Sequence, residues 1–212
     1  LMDAPLVLLS VYVLVTLVLW GRGVFCGWLC PFGALQELSN RIARFLHVPQ
    51  LALPEHLQAR LWRVKYGVLF VILATALVSR EAANTAAEVE PFKTAISLQF
   101  QRSWPYVAYA AGLLTVGLVY ERVFCRFFCP LGALLALAGR WHVFNWLKRR
   151  PECGSPCQIC NSSCPVAAIP DSGKINMSEC LQYLDCQVEY YDDRRCPPLV
   201  AERKRKDALG VS

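Results

Sequence analysis

Seven of the eleven cysteines in this 212-residue chain lie between residues 153 and 196. The thiols are Cys153, the compact run Cys157-x2-Cys160-x3-Cys164-Pro165, and the more distant Cys180, Cys186 and Cys196, the last followed by Pro197. Closely spaced thiols allow a short, tightly turning backbone to surround a bound metal centre. Three kinds of site compete for such a segment: an iron–sulfur cluster, a zinc site and a framework of disulfides.

The spacing favours iron–sulfur ligation. The run ending in Cys164-Pro165 matches the last three cysteines of the bacterial ferredoxin pattern, in which the fourth cysteine ligates the other of two clusters. Zinc sites prefer paired Cys-x2-Cys knuckles, and only one such pair is present. Disulfides need an oxidising compartment, which the orientation derived below argues against. We therefore expect a first cluster bound by Cys153, Cys157, Cys160 and Cys196, with Cys164 crossing to a second site.

The pattern departs from that of ferredoxins at two points. The first gap, from Cys153 to Cys157, is three residues rather than two, and Tyr183 stands between Cys180 and Cys186 where a cysteine belongs. A second site made of Cys164, Cys180 and Cys186 lacks one thiolate, and a phenol with a pKa near 10 replaces it poorly. Such a site could be a three-iron centre, a cubane with another fourth ligand, or a lost site. We expect one robust four-iron cluster and one defective or absent cluster.

Composition divides the chain into a membrane part and a polar part. Hydrophobic residues make up 55% of the chain and the mean hydropathy is +0.34, whereas the last 65 residues are polar. Apolar runs at 4–20, 67–79 and 104–120 predict membrane-spanning helices. The expected fold is a membrane all-α domain with about three transmembrane helices plus interfacial helices, followed by a small α+β bacterial-ferredoxin-like iron–sulfur domain. The expected units are 1–150, 151–200 and a basic tail at 201–212.

An internal repeat is displaced by 99 residues. Residues 24–35 and 123–134 are identical at eight of twelve positions, and each copy places Cys-x3-Cys-Pro after an apolar run. Such duplication implies a pseudo-symmetric bundle. Four residues apart on a helix, the two thiols share a face, and the proline suits the start of a new helix. We expect a redox or metal-binding role for Cys26, Cys30, Cys125 and Cys129. Close packing of small side chains is the alternative, and one site, two sites or none remain open.

Charge in the loops predicts the orientation. Residues 21–65 hold six Lys and Arg against two acids, residues 80–103 hold three against three, and residues 121–150 hold six against one. The positive-inside rule then places both Cys-x3-Cys-Pro motifs and the cysteine-rich segment on the cytoplasmic side. The expected protein is a multi-pass protein of the inner membrane. The lipid bilayer is the expected partner of the basic residues. No nucleic acid contact is expected, because no basic patch is interleaved with aromatic residues.

Four stretches carry a family resemblance: FCGWLCPFGALQE (25–37), FCRFFCPLGA (124–133), the run from Cys153 to Pro165, and ECLQYLDCQVEYYDDRRCPPLV (179–200). The chain resembles the C-terminal part of the NosR/NirI family, membrane iron–sulfur flavoproteins of nitrous oxide respiration. The family has cysteine at the position of Tyr183, which again puts the second cluster in question.

The resemblance implies a membrane-bound electron-transfer component, rather than a self-contained enzyme, that supplies electrons for nitrous oxide reductase activity or maturation. It implies one or two [4Fe-4S] clusters, with FMN only in a domain upstream of these residues. The implied partners are the quinol pool or another membrane redox partner, and the nitrous oxide reductase system. Two alternatives remain: a regulatory or assembly protein whose clusters sense redox or iron state, and a NapH-type quinol-oxidising ferredoxin subunit.

Overall fold

A computed structural model of the protein describes residues 4–51, 53–79, 81, 90–98, 100–101, 103–155 and 157–209. The α-helices are α1 (Ala4–Trp20), α2 (Pro31–Phe45), α3 (Glu55–Leu61), α4 (Val64–Val78), α5 (Trp104–Val119), α6 (Pro130–Ala138), α7 (Ile159–Ser162), α8 (Asp185–Tyr191) and α9 (Pro197–Ala208). Three π-helices are π1 (Phe25–Leu29), π2 (Lys93–Ser97) and π3 (Phe124–Phe128), and a 3-10 turn covers Gly139–Trp141.

The expectation of about three transmembrane helices is wrong. Within the described residues, one helix is long and apolar enough to cross a membrane, Glu55–Val78, which runs through α3 and α4. The apolar helices Val7–Trp20 and Trp104–Val119 are shorter. At 1.5 Å per residue they reach only about 21 and 24 Å, against a hydrocarbon core of about 30 Å. The first of these helices ends at Trp20 because the backbone turns at Gly21, which has φ of 82°. The second ends at Val119 because the backbone becomes extended at Tyr120.

The expectation of an α+β ferredoxin-like domain is also wrong. The described residues from 151 to 209 form turns and short helices and contain no β-strand. Their single isolated bridge joins Cys153 to Cys157. Left-handed backbone at Ala167, Gln182 and Leu184 interrupts the stretches that a strand would need. The segment is instead held by turns and by α7, α8 and α9.

The two copies of the repeat fold alike and pack against each other. Each copy runs from an apolar helix through a π-helix into a helix that begins at a proline, as α1–π1–α2 and as α5–π3–α6. Helix α2 packs against α5, and α6 packs against α4 and α1. The edge of the Phe32 ring meets Phe124 at a centroid distance of 5.6 Å, which joins the start of α2 to π3. The Cys-x3-Cys motifs therefore meet at the interface between the copies.

The cysteine-rich segment, residues 153–196, docks on π1 by close backbone contact. A Cβ atom placed on Gly27 would lie 2.1 Å from the carbonyl oxygen of Leu181, so only glycine allows this approach. Two hydrogen bonds stabilise this contact: Trp28 Nε1 donates to Gln182 O (3.1 Å), and Gln182 Nε2 donates to Trp20 O (2.8 Å).

A buried charge cluster fixes the same docking. The Glu179 carboxylate accepts from Lys65 Nζ (2.5 Å) and from Arg22 Nη2 (3.3 Å), and all three side chains are at most 5% exposed. Removing one partner from such a group leaves an uncompensated buried charge, which costs about 3–5 kcal/mol. Glu179 therefore ties the cysteine-rich segment to α4 and to the turn after α1.

Candidate metal centres

The first candidate site is a narrow cavity of about 10 Å³ in the cysteine-rich segment. Four thiols line it together with Tyr190, and they are Cys153, Cys157, Cys160 and Cys196. These are the cysteines that the spacing assigned to one cluster. Arg150 Nη1 donates to Cys196 Sγ (3.0 Å) and its guanidinium lies 3.9 Å from the centroid of the Tyr190 ring. A fixed positive charge thus stands beside the thiols, where it would offset the negative charge of a bound cluster.

The backbone around this cavity explains how the extra residue in the first gap is accommodated. Residues 153 and 157 form the isolated bridge, and Gly154 N donates to Cys157 O (2.9 Å). Gly154 has φ of 105° and Gly173 has φ of 75°, and a Cβ on Gly173 would lie 2.0 Å from Cys153 O. Both positions therefore require glycine, and the loop closes tightly in spite of the longer gap.

The second candidate site is a neighbouring narrow cavity of about 20 Å³, lined by Cys164, Cys180, Cys186 and Tyr183. It adjoins the first site, since Cys160 Sγ lies 3.5 Å from Cys186 O. Burial raises the pKa of the Cys164 and Cys186 thiols and raises the pKa of Cys180 to about 12. Thiols in such surroundings stay protonated in the absence of metal, and a binding metal ion displaces the proton.

Tyr183 lines the second site and stands where the ferredoxin pattern has a cysteine. Its ring faces the Arg122 guanidinium at 4.8 Å from the ring centroid, and burial raises the pKa of its phenol well above the usual range. A phenolate ligand is therefore disfavoured at this position. Left-handed φ angles at Gln182 (52°) and Leu184 (71°) on either side of the tyrosine mark the locally strained backbone that often accompanies functional sites.

The four remaining cysteines converge between the repeats, and we call this group the four-thiol site: Cys26, Cys30, Cys125 and Cys129. Cys125 belongs to a buried cluster against which Cys30 and Cys129 pack, so three of the four thiols lie around one cluster. The interaction with Cys125 is the main cause that lowers the pKa of Cys30 to about 6, whereas burial raises the pKa of Cys129 to about 12. Whether the thiols form one site, two sites or none stays a prediction, although thiols of both copies meet here.

Local helix geometry presents these thiols in the same way in both copies. The π-helical hydrogen bonds Cys30 N to Phe25 O (3.0 Å) and Cys129 N to Phe124 O (2.9 Å) close each motif. Each second cysteine then caps the helix that its proline begins: Cys30 Sγ accepts from Gly33 N at 3.4 Å, and Cys129 Sγ accepts from Gly132 N at 3.2 Å. Backbone N–H donors at a sulfur favour its thiolate form.

Buried cations surround the four-thiol site, and the sequence reasoning used them only as topology signals. Arg22, Lys65 and Arg122 all act electrostatically on the Cys26 thiol. Arg122 Nη1 donates to Cys26 O (2.7 Å) and Arg22 Nη1 donates to Gly132 O (3.1 Å), so each arginine holds the backbone of the other copy. The only signal in the sequence was the position of the two arginines just before the motifs.

Within the part of the chain that the structure describes, no three His, Cys, Asp or Glu side chains are grouped closely enough to hold a metal ion.

The thiols that line the two cavities, and those that meet between the repeats, are of the residue type that ligates iron–sulfur clusters. Comparison with known families agrees: the profile of the 4Fe-4S binding domain matches residues 3–49 and 103–150, and the NosR profile matches residues 151–207. Iron–sulfur clusters are therefore the cofactors of this class of protein.

Curated relatives then identify the family. The chain is 54% identical over 203 residues to the regulatory protein NosR of Stutzerimonas stutzeri and 50% identical over 192 residues to the protein NirI of Paracoccus denitrificans, covering 96% and 91% of this chain. A shorter NosR sequence of Pseudomonas aeruginosa is 51% identical over 82 residues, 39% of this chain and 82% of that protein. The chain belongs to the NosR/NirI family, which confirms the resemblance noted in the sequence. It spans 28% of the length of the first two relatives. No solved structure matches it.

Proposed function

We propose that this chain is the electron-transfer part of a membrane-bound iron–sulfur protein that supports nitrous oxide respiration. The observation that carries the proposal is the contact between the two sites of the cysteine-rich segment, through Cys160 and the Cys186 carbonyl. The second site in turn shares a buried hydrophobic cluster with Cys26, since Cys26, Cys180 and Leu181 pack together. Adjacent metal centres suit stepwise transfer of single electrons.

The first site holds one [4Fe-4S] cluster, with Cys153, Cys157, Cys160 and Cys196 as ligands. The cavity that these four thiols line supports this assignment. The cluster supplies one-electron redox chemistry, and the protein supplies its ligands, the charge of Arg150 and exclusion of water. The second site, with Cys164, Cys180 and Cys186, holds a defective cluster or none, because Tyr183 fills the place of the fourth thiol. FMN belongs to a domain outside these 212 residues.

The protein sits in the inner membrane with its iron–sulfur sites on the cytoplasmic side. The helix Glu55–Val78 supports a membrane location, and its far end exposes Leu77 and Val78 as a lipid-facing surface would. Lys65, near its middle, is buried against Glu179 of the cysteine-rich segment. The cytoplasmic side follows from the excess of Lys and Arg in residues 21–65 and 121–150.

Quinol oxidation is the second candidate function, and one cavity favours it. An open cavity of about 470 Å³ is lined by Tyr12, Trp20, Trp28 and Trp146, together with Leu184. Aromatic, mostly apolar walls suit a flat lipid-soluble ring. The cavity touches both π1 and the residue after Tyr183, so a quinol there would stand beside two of the candidate redox sites. In that case the redox partner is the quinol pool, and the nitrous oxide reductase system receives the electrons.

An anaerobic redox titration followed by EPR tests the main proposal. The purified protein should show a one-electron iron–sulfur signal that disappears in Cys196→Ser. A protein that contains zinc, or that has no paramagnetic state at any potential, would contradict electron transfer. A regulatory sensor is favoured instead if the cluster is present but a quinol analogue never reduces it.

The aromatic cavity has its own test. A water-soluble quinone analogue should quench tryptophan fluorescence, and Trp28→Phe should weaken this quenching, whereas the exposed Trp104, which lies outside the cavity, provides the control Trp104→Phe. Equal quenching of both variants would remove the support for quinol binding.

A further inference from the structure

We propose that Cys26, Cys30, Cys125 and Cys129 together bind one iron–sulfur cluster that the two repeats share. The family profile for 4Fe-4S binding matches each repeat separately, over 3–49 and 103–150, yet each of these stretches contains only two cysteines. A four-iron cluster held by cysteines needs four thiolates. Neither repeat can supply them alone, so a cluster at this location must take two ligands from each.

The fold brings the two pairs to one place with matching geometry. Cys30, from the first copy, packs against the buried cluster that contains Cys125 of the second copy, and Cys129 packs against the same cluster. Arg22 donates a hydrogen bond to Gly132 O and Arg122 donates one to Cys26 O, so each copy is bonded to the backbone of the other. The ligands are therefore held in position by protein contacts before any cofactor binds.

Charge at the site calls for an anionic occupant. Three fully buried cations lie near the site, and among the described residues Arg22 and Lys65 share the single carboxylate of Glu179 while Arg122 pairs with Glu37. Two buried cations that share one carboxylate are stabilised by a further counter-charge nearby. Four thiolates around an iron–sulfur core carry net negative charge and supply that counter-charge.

An unused hydrogen-bond donor points to the same location. Gln36 is fully buried, and its Oε1 lies 3.4 Å from Cys125 Sγ. Its Nε2 has no hydrogen-bond partner among the described residues, nor has Nε of Arg122. Buried donors of this kind are normally satisfied. The sulfurs of a bound cluster would accept from them, as hydrogen bonds to cluster sulfurs do in tuning the potential.

Single replacements in the two copies test whether the cluster is shared. Cys30→Ser and Cys125→Ser should each lower the iron and acid-labile sulfide of the anaerobically purified protein by the same amount, about four per chain, and remove the same EPR signal. Phe128→Leu, between the cysteines of the second motif, is the matched control and should keep both. Cys196→Ser should remove a different signal, which separates this proposal from the assignment of the first site.

A second variant keeps the ligands and does not depend on how the cysteine variants fold. Gln36→Glu places a carboxylate beside Cys125 and should shift the midpoint potential of that one signal downward without loss of iron. Three results would overturn the proposal: full iron in both cysteine variants, zinc in place of iron, or different signals lost in Cys30→Ser and Cys125→Ser. An unchanged potential of every signal in Gln36→Glu would also contradict it.

Discussion

Replacing Gly27 by alanine should weaken the docking of the cysteine-rich segment on the repeats, because it adds one methyl group at their closest backbone contact. In Gly27→Ala, the new Cβ would lie 2.1 Å from Leu181 O and 3.3 Å from Leu181 C, both backbone atoms that cannot rotate away. Ordinary contact begins near 3.4 Å, so the two backbones must move apart by about 1.3 Å. Overpacking of this kind costs about 1–3 kcal/mol. That energy corresponds to a loss of about 5- to 150-fold in the docking equilibrium.

Hydrogen exchange on the purified protein measures this loss where it should occur. The amide of Gln182, which donates to Cys180 Sγ at 3.4 Å, should exchange faster in Gly27→Ala than in the unaltered protein. Amides in α5, far from the contact, should keep their exchange rates. The altered residue lies between Cys26 and Trp28, so the iron content should be measured on the same sample.

Gly112→Ala is the matched control. A Cβ at this position in α5 meets nothing within 4 Å, and alanine in a helix interior is favoured over glycine by about 0.5–1 kcal/mol. Stability should therefore be unchanged or slightly higher. Equal exchange at residues 180–186 in Gly27→Ala and Gly112→Ala would refute the close backbone contact as the basis of docking.

Four further predictions follow from the sites and the charges. Cys196→Ser should remove about four irons from the first site, although Cys196 lies 36 residues after Cys160. Tyr183→Cys should add about four irons, because it completes the second site. Glu179→Gln should lower the free energy of unfolding by about 3–5 kcal/mol by leaving two buried cations unpaired, as a thermal or denaturant melt would record. A reporter enzyme fused after Ser212 should be active only in its cytoplasmic form.

Each of these has a control or an opposing result. Asp193→Asn removes one partner of an exposed ion pair with Arg203 and should leave the melt unchanged. If only Cys164→Ser affected the first cluster, Cys196 would not be its distant ligand. If Tyr183→Cys left the iron content as it was, the tyrosine would be compatible with a complete second cluster. Periplasmic reporter activity would reverse the orientation and make disulfides plausible.

Spacing along the sequence predicts which cysteines of residues 153–196 lie near each other, because short loops restrict where neighbouring thiols can lie. The two cavities are lined by the same two sets of thiols, and their ligation of clusters stays a prediction. The predicted strands did not form, because the ferredoxin analogy was extended from ligand spacing to the whole domain. The number of membrane-spanning helices was also overestimated: the apolar runs at 4–20 and 104–120 do form helices with nearly those bounds, but these helices are too short to count as spans.

Long-range features were out of reach of the sequence. Cys30 packs against the cluster that contains Cys125, 95 positions further along the chain, and the repeat alone left one site, two sites or none open. The aligned positions 27 and 126 hold glycine and arginine, and only the structure explains the difference. Gly27 admits the Leu181 carbonyl, whereas Arg126 is buried near Cys164 with its guanidinium over the Tyr120 ring.

Anaerobic quantification of iron, acid-labile sulfide and zinc in the purified protein, combined with EPR of the reduced sample, tests the iron–sulfur assignment itself. We expect iron and sulfide in equal amounts, at least about four of each per chain, and a one-electron signal on reduction. Zinc in place of iron, or iron without sulfide, would contradict the assignment of these grouped thiols to iron–sulfur clusters.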